Sequence, residues 1–149
     1  MKRSATAIWR GGPRAGEGTV TTSSGVISNA LFRTGTTAHD IPCTTPSEML
    51  VAAEAACMSL TLAAELAEDG ITAEAIETKA ELVIFADKKI WDISEIRMNV
   101  KAHIPHMSKE KFNAAVNRAK QHCLISRALK PKLTIKTDMV DIEQPVTAN

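Results

Sequence analysis

The chain contains no tyrosine, and two tryptophans and three phenylalanines make up its whole aromatic complement. A platform for single-stranded nucleic acid needs aromatic faces on which bases can stack, so that class is disfavoured. The charge balance excludes as much. Eighteen Lys and Arg against 17 Asp and Glu leave a formal net charge of +1, too little to draw in nucleic acid or an anionic membrane. Met1-Lys-Arg-Ser-Ala-Thr-Ala-Ile-Trp9 is basic but has no apolar run of the kind a secretory signal needs. The most apolar stretch, Met49 to Leu66, is Ala-rich and interrupted by Glu54 and Glu65, and reads as a buried helix, not a membrane span. Three cysteines with no export signal point to a reducing, cytoplasmic setting, where free thiols or working redox pairs are the default. There is no Gly-rich phosphate loop, Ser-His-Asp signature or Cys-x-x-Cys motif. The isolated Gly16-x-Gly18 precedes a strand, the wrong context for a dinucleotide.

What is present is ordinary globular material: 149 residues, 44% hydrophobic and 23% charged, enough for one domain over residues 1–149 or two lobes sharing a core. Three short strands are expected first, Ser4 to Arg10, Gly18 to Ser23 and Val26 to Phe32, with Ser-Ser-Gly turning between the last two. An irregular loop from Arg33 to Thr44 follows. Thr45, Pro46 and Glu48 then form a capping-box start to a helix that ends at Gly70. On it Leu50, Ala53, Cys57, Leu60 and Ala64 recur at helical steps and predict a buried stripe. Two long alternating strands come next, joined at Asp-Lys-Lys. Ile93 is out of phase with Ile96, Met98, Val100, Ala102 and Ile104, which predicts a bulge near Ser94-Glu95. A second helix starts from a Ser108 cap, with Phe112, Val116, Ala119 and Cys123 on one face. Lys132 to Ile142 reads as a last strand. The order β-β-β-α-β-β-α-β is an α+β pattern with mostly antiparallel pairing.

Cys57 and Cys123 thus fall on two separate helical stripes. Each alone reads as a small core residue, since free Cys is among the most buried types. A reactive Cys57 would need a cation from elsewhere, because it lies about three turns from its helix start, beyond reach of the dipole. Cys123, near a helix end, is the poorer attacking thiol. Cys43 is either a bystander or a competing partner. Glu48 is either a cap or a carboxylate that orients an arginine. Glu54, one turn before Cys57, would oppose a thiolate and is read as structural or solvated. Cys43, His39, Cys123 and His122 match no standard zinc spacing.

Four segments together resemble the OsmC/Ohr proteins, the osmotically inducible protein C and organic hydroperoxide reductase family, and more closely its OsmC branch. They are Trp9 with Gly16-Glu-Gly-Thr-Val-Thr-Thr-Ser-Ser-Gly-Val26; Thr44-Thr-Pro-Ser-Glu-Met-Leu-Val-Ala-Ala-Glu-Ala-Ala-Cys57-Met-Ser; the two long strands; and Ala119-Lys-Gln-His-Cys123-Leu-Ile-Ser126. The resemblance implies an intertwined homodimer with sites at the subunit interface, and reduction of hydroperoxides, preferentially organic ones. It implies Cys57 as the attacking thiol and Cys123 as the resolving one, an arginine and a glutamate beside them, and an external dithiol reductant such as a lipoyl group. No cofactor, metal, nucleic acid or membrane is implied. Arg33 is the arginine of the pre-helix loop, although an ungapped match falls on Thr37. Arg14 would suit an Ohr-like arrangement. The family's glutamate often directly follows the proline. Here Ser47 stands there and the acid comes at Glu48, rotated by about 100°. The other function class is a non-catalytic module of the same fold that binds a small apolar ligand or senses redox state through its thiols.

Overall fold

A computed structural model describes residues 1–34, 42–87, 90–129 and 133–137. Thr37, His39, the two lysines of the Asp-Lys-Lys turn, and the last strand beyond Leu133–Thr137 lie outside the described residues. The chain divides into two units, Met1–Leu50 and Val51–Asn149.

In the first unit, β1 (Ala5–Arg10), β2 (Glu17–Thr22) and β3 (Ala30–Phe32) form an antiparallel sheet in that order. Gly18 pairs with both Trp9 and Phe32. Any side chain there would collide with the Phe32 ring, which lies 5.7 Å from the Trp9 ring. This glycine therefore serves aromatic packing. The third strand is shorter than expected. Gly25, at φ +76°, closes the turn by donating to the Thr22 carbonyl, but the Thr22 and Ser24 hydroxyls then bond the backbone of Ile27 and Val26. Asn29 sits at φ +50° with its N–H on the Thr21 hydroxyl. The N–H groups of Val26, Ile27 and Asn29 are thus met locally by hydroxyls, and residues 26–29 stay out of the strand.

Helix α1 (Pro46–Glu68) starts with a reciprocal capping box: the Glu48 N–H donates to Thr45 Oγ1 at 3.2 Å, and the Thr45 N–H to Glu48 Oε2 at 3.1 Å. Gly70, at φ +73°, closes the other end. The expected buried stripe is corrected. Ala53, Leu60 and Ala64 are exposed, Leu60 at 74%, and Cys57 is half-buried. The buried residues are Glu54, Met58, Leu62, Glu65 and Leu66. Apolar residues surround this helix, so hydrophobicity alone could not locate the packed face. The two glutamates that interrupt the apolar run lie on that face.

The second unit continues with β4 (Ala75–Asp87) and β5 (Ile90–His103), antiparallel throughout. The register shifts between Val83 and Ile84, opposite Glu95 and Ile93, leaving Ser94 unpaired in the ladder with its hydroxyl on the Val83 carbonyl. That is the bulge expected from the phase of Ile93. Helix α2 (Lys109–His122) starts from Ser108, whose hydroxyl accepts the Lys111 N–H. A five-residue helix α3 (Leu124–Ala128), absent from the expected order, follows Cys123. It leads to β6 (Leu133–Thr137), which runs parallel to β5. Met58, Leu62 and Leu66 of α1 pack with Ile96, Met98, Val100 and Ala102 of β5 and Phe112, Ala115, Val116 and Ala119 of α2.

Phe112 is fully buried in that core. Phe112→Ala is expected to cost about 3–5 kcal/mol of unfolding free energy. Ser108→Ala, which removes only a cap, should cost about 1 kcal/mol. Urea denaturation of both variants checks the ranking.

Candidate active site

Helix α1 carries Cys57, and the junction of α2 and α3 carries Cys123. Their sulfurs lie 2.7 Å apart, with the Cys123 thiol donating to Cys57 Sγ. This is closer than two unbonded sulfurs ordinarily rest and longer than the about 2.05 Å of a disulfide bond. Residues separated by 66 positions are thus placed for thiol–disulfide chemistry.

The two thiols are not equivalent. Cys57 is half-buried and Cys123 has no exposed surface. Burial pushes the Cys123 thiol up from its ordinary range, and its bond with Cys57 and the nearby Glu54 add to the rise; the Ser126 hydroxyl and N–H oppose it. Its position also differs from the expected one. Cys123 is the C-cap of α2 and at the same time the N-cap of α3, where its sulfur accepts the Ser126 N–H at 3.5 Å. The carbonyl end of α2 is therefore only part of its surroundings, and desolvation is what chiefly favours its protonated form.

Glu54 is entirely buried, which corrects the option of a solvated acid. Its Oε1 accepts the Ser126 hydroxyl at 2.5 Å, while Oε2 is buried with no hydrogen-bond partner among the described residues. Burial raises its proton affinity above the usual carboxylate range, against the opposing bond from Ser126. Neither Glu54 nor Ser126 stood out in the sequence as a site residue. The only local hint was an acid one turn before Cys57.

A second polar tie joins α1 to α2. Glu65, 5% exposed, accepts from Arg118 Nε at 3.0 Å and lies 2.6 Å from His122 Nδ1. Arg118 also bridges to Asp69. His122, which adjoins Cys123 in sequence, is thus turned to a carboxylate. Its companion in the metal reading, His39, lies outside the described residues. An open cleft of about 340 Å³ on this ionic face is lined by Asp69, Ile71, Lys111, Ala114 and Arg118, and includes neither cysteine.

The other expected site residues belong to the first unit. Arg33 Nη2 pairs with Glu17 Oε2 at 2.6 Å, a bond that raises the proton affinity of an already protonated guanidinium, with burial opposing and a smaller contribution from Cys43. Its backbone N–H donates to the Thr44 carbonyl. Glu48 Oε2 accepts from the Thr44 hydroxyl at 3.0 Å as well as from the Thr45 N–H, so its described bonds are those of a cap. Arg14 lies in the loop between β1 and β2.

The family profile described as OsmC-like protein matches residues 38–138. The chain is 31% identical over 129 residues to peroxiredoxin OsmC of Escherichia coli K12, covering 87% of this chain and 90% of that protein. Among solved structures, the organic hydroperoxide resistance protein OhrB of Bacillus subtilis aligns with a TM-score of 0.69 at 24% identity, over 92% of this chain and 98% of that one. An OsmC-like protein from Mycoplasma pneumoniae aligns with a TM-score of 0.76 at 15% identity, over 94% and 96%. The chain belongs to the OsmC-like family. It has that family's α+β fold, with two main helices and a cysteine pair arranged for thiol-based redox chemistry.

The Glu65 cluster sets an acid-stability expectation. His122, and then Arg118, hold the Glu65 carboxyl below its usual range against the opposing effect of burial. In acid the unfolded chain therefore takes up this proton before the folded one does. The stabilisation is complete above the unfolded value of about 4.3 and is lost as pH falls through the lower folded value. Glu65→Gln should flatten that part of the acid limb when unfolding free energy is measured between about pH 5 and pH 2.

Proposed function

We propose that this protein is a cysteine-based peroxidase that reduces organic hydroperoxides, and hydrogen peroxide less efficiently. The observation that carries the reading is the juxtaposed pair of unequal thiols, Cys57 half-buried and Cys123 fully buried with its S–H directed at Cys57. Cys57 as thiolate attacks the outer peroxide oxygen, the O–O bond breaks, and an alcohol or water leaves after taking a proton. Cys57 is then a sulfenic acid. Cys123 attacks its sulfur, water leaves, and a Cys57–Cys123 disulfide forms. An external dithiol, of lipoyl type for example, restores both thiols. No bound cofactor enters this cycle.

In this reading Arg33 is the cation that stabilises the thiolate and the developing oxyanion. Glu48 is assigned as the acid that holds it, with Arg14 the alternative arginine. A homodimer working in the cytoplasm is part of the same reading. Leu60, one turn beyond Cys57, and Leu124, next to Cys123, are 74% and 72% exposed in the single chain. Such apolar surface beside both thiols suits an apolar substrate and a second copy of the chain.

The second reading, a ligand-binding or redox-sensing module, draws on Arg33 being paired with Glu17 and on Glu48 being engaged in its helix cap. Consumption of tert-butyl hydroperoxide with dithiothreitol separates the two. Wild type should turn over, Cys57→Ser should fall to the protein-free rate, and Arg33→Met should lose about 10²-fold. Equal rates for wild type and Cys57→Ser would leave the module reading standing. Mass spectrometry after one equivalent of oxidant should find the Cys57–Cys123 bond, whereas a bridge to Cys43 would reassign the resolving thiol. Light scattering should give twice the mass of the 149-residue chain.

A further inference from the structure

Cys123 is tied to α1 from both of its flanks. The residue before it, His122, has Nδ1 2.6 Å from Glu65 Oε1, and Ser126, three residues after it, donates its hydroxyl to Glu54 Oε1 at 2.5 Å. Both carboxyls belong to the helix that carries Cys57, one about a turn before that thiol and the other about two turns beyond it. The Glu65 carboxyl is held below its usual range, so it is an anion wherever thiols react, and a carboxylate only accepts. The proton of the short bond therefore sits on His122 Nδ1. The cycle as written uses neither His122 nor Glu65.

We propose that His122 is a positioning residue for the resolving thiol: its bond to Glu65 fixes the last turn of α2 against α1 and so keeps Cys123 Sγ within reach of Cys57. The proposal rests on the thiol-pair reading above. Cys123 is where the α2 ladder ends. Its N–H makes the closing bond, to the Ala119 carbonyl at 2.7 Å, while its own φ of −59° and ψ of 121° have left the helix. Helix ends fray unless something beyond the ladder holds them. Here the side chain of the preceding residue does so, and a displacement of the His122 turn would carry the Cys123 sulfur with it. Glu65 does not depend on His122 alone, because its Oε2 accepts Arg118 Nε at 3.0 Å. Loss of the His122 bond therefore leaves α1, and Cys57 on it, tied to α2, and the effect falls on Cys123.

The step affected is resolution. The Cys123 sulfur bonds to the sulfenic sulfur of Cys57, the S–O bond breaks, and the departing hydroxide leaves as water with the Cys123 S–H proton. The Cys57 sulfur is reduced and the Cys123 sulfur oxidised. His122 neither gives nor takes a proton in this step. It acts by holding the two sulfurs near their 2.7 Å separation, which removes part of the entropy cost of bringing them together. A tie that only stabilised the fold would favour the dithiol and disulfide forms equally and leave the equilibrium between them unchanged. A tie that places Cys123 in the dithiol form favours closure of the disulfide and raises its rate.

The test is made on the full chain with His122→Leu, His122→Asn and Arg118→Met, all checked by urea unfolding. Asparagine places an amide N–H where Nδ1 stands. Arg118→Met removes a bond to the same carboxylate one turn further from Cys123. One arm follows sulfenic acid and then the Cys57–Cys123 bond after a single equivalent of tert-butyl hydroperoxide. The other equilibrates that bond with dithiothreitol redox buffers and reads it by alkylation and mass spectrometry. Sulfenic acid should form at the wild-type rate in all variants. His122→Leu should slow disulfide formation about tenfold, and weaken the disulfide about tenfold at equilibrium, a rise of about 30 mV in its reduction potential. His122→Asn should restore most of both. Arg118→Met should lose stability and keep the wild-type rate and potential. If His122→Leu matches wild type in both arms, or if Arg118→Met slows disulfide formation as much as His122→Leu, the proposal is overturned. If wild type does not react with the hydroperoxide, the peroxidase reading falls, and the redox-buffer arm still decides the role of His122.

Discussion

The rotation of helix α1 about its own axis is fixed by two buried glutamates, and the placement of Cys57 depends on that rotation. Glu54 and Glu65 are eleven residues apart, close to three full turns, so they share one face with Met58 and Leu62. Glu65 is held by Arg118 and His122 of α2, and Glu54 by Ser126 of α3. In an Ala-rich helix that is apolar all round, a rotation by one residue exchanges one apolar surface for another at modest cost. The same rotation would carry both carboxyls off the packed face and away from Arg118, His122 and Ser126. Polar burial here specifies which arrangement forms, and Cys57, three residues after Glu54, comes to the edge of the packed face where Cys123 waits.

The same pairs explain which features were legible in the sequence. Features whose causes lie within a few residues could be read: the Thr45–Glu48 capping box, the Ser108 cap, the turn glycine Gly25 and the bulge at Ser94. Each follows from hydrogen-bond reach or strand phase along a short segment. The packed face of α1 could not be read, because its determinants are 53, 57 and 72 residues away. Periodicity weights apolar residues and so selected Ala53, Leu60 and Ala64, which are exposed, over two glutamates whose partners were unknown. The start of β3 differs from the apolar pattern for a local reason: hydroxyls at Thr21, Thr22 and Ser24 satisfy backbone groups that alternation alone would place in the ladder. The thiol pair itself came from family likeness, since helical spacing places each cysteine on its own helix but cannot bring two helices together.

The pair's asymmetry follows from where the helices stop. Cys123 ends α2, and the chain turns there at once into α3, so its sulfur is closed over by Ser126 and by the apolar core beneath. A residue in that position is hard for solvent, and hence for a dissolved oxidant, to reach. Cys57 lies mid-helix on the margin of the packed face and keeps part of its surface. The difference in exposure between the two thiols therefore needs no special surroundings at either cysteine. It follows from one of them being the cap at a helix junction.

In the first unit the polar ties differ in how firmly they are held. Arg33 is paired with Glu17, the two side chains being 25% and 54% exposed, and water screens an ion pair of that exposure. Glu48 is a less movable group. One of its oxygens accepts both the Thr44 hydroxyl and the Thr45 N–H, and the Thr45 hydroxyl accepts from Glu48 in return, so withdrawing it would open the first turn of α1. With Ser47 directly after the proline, the acid one position later bonds the start of the helix that carries Cys57. The partner that Arg33 can exchange at low cost is thus Glu17.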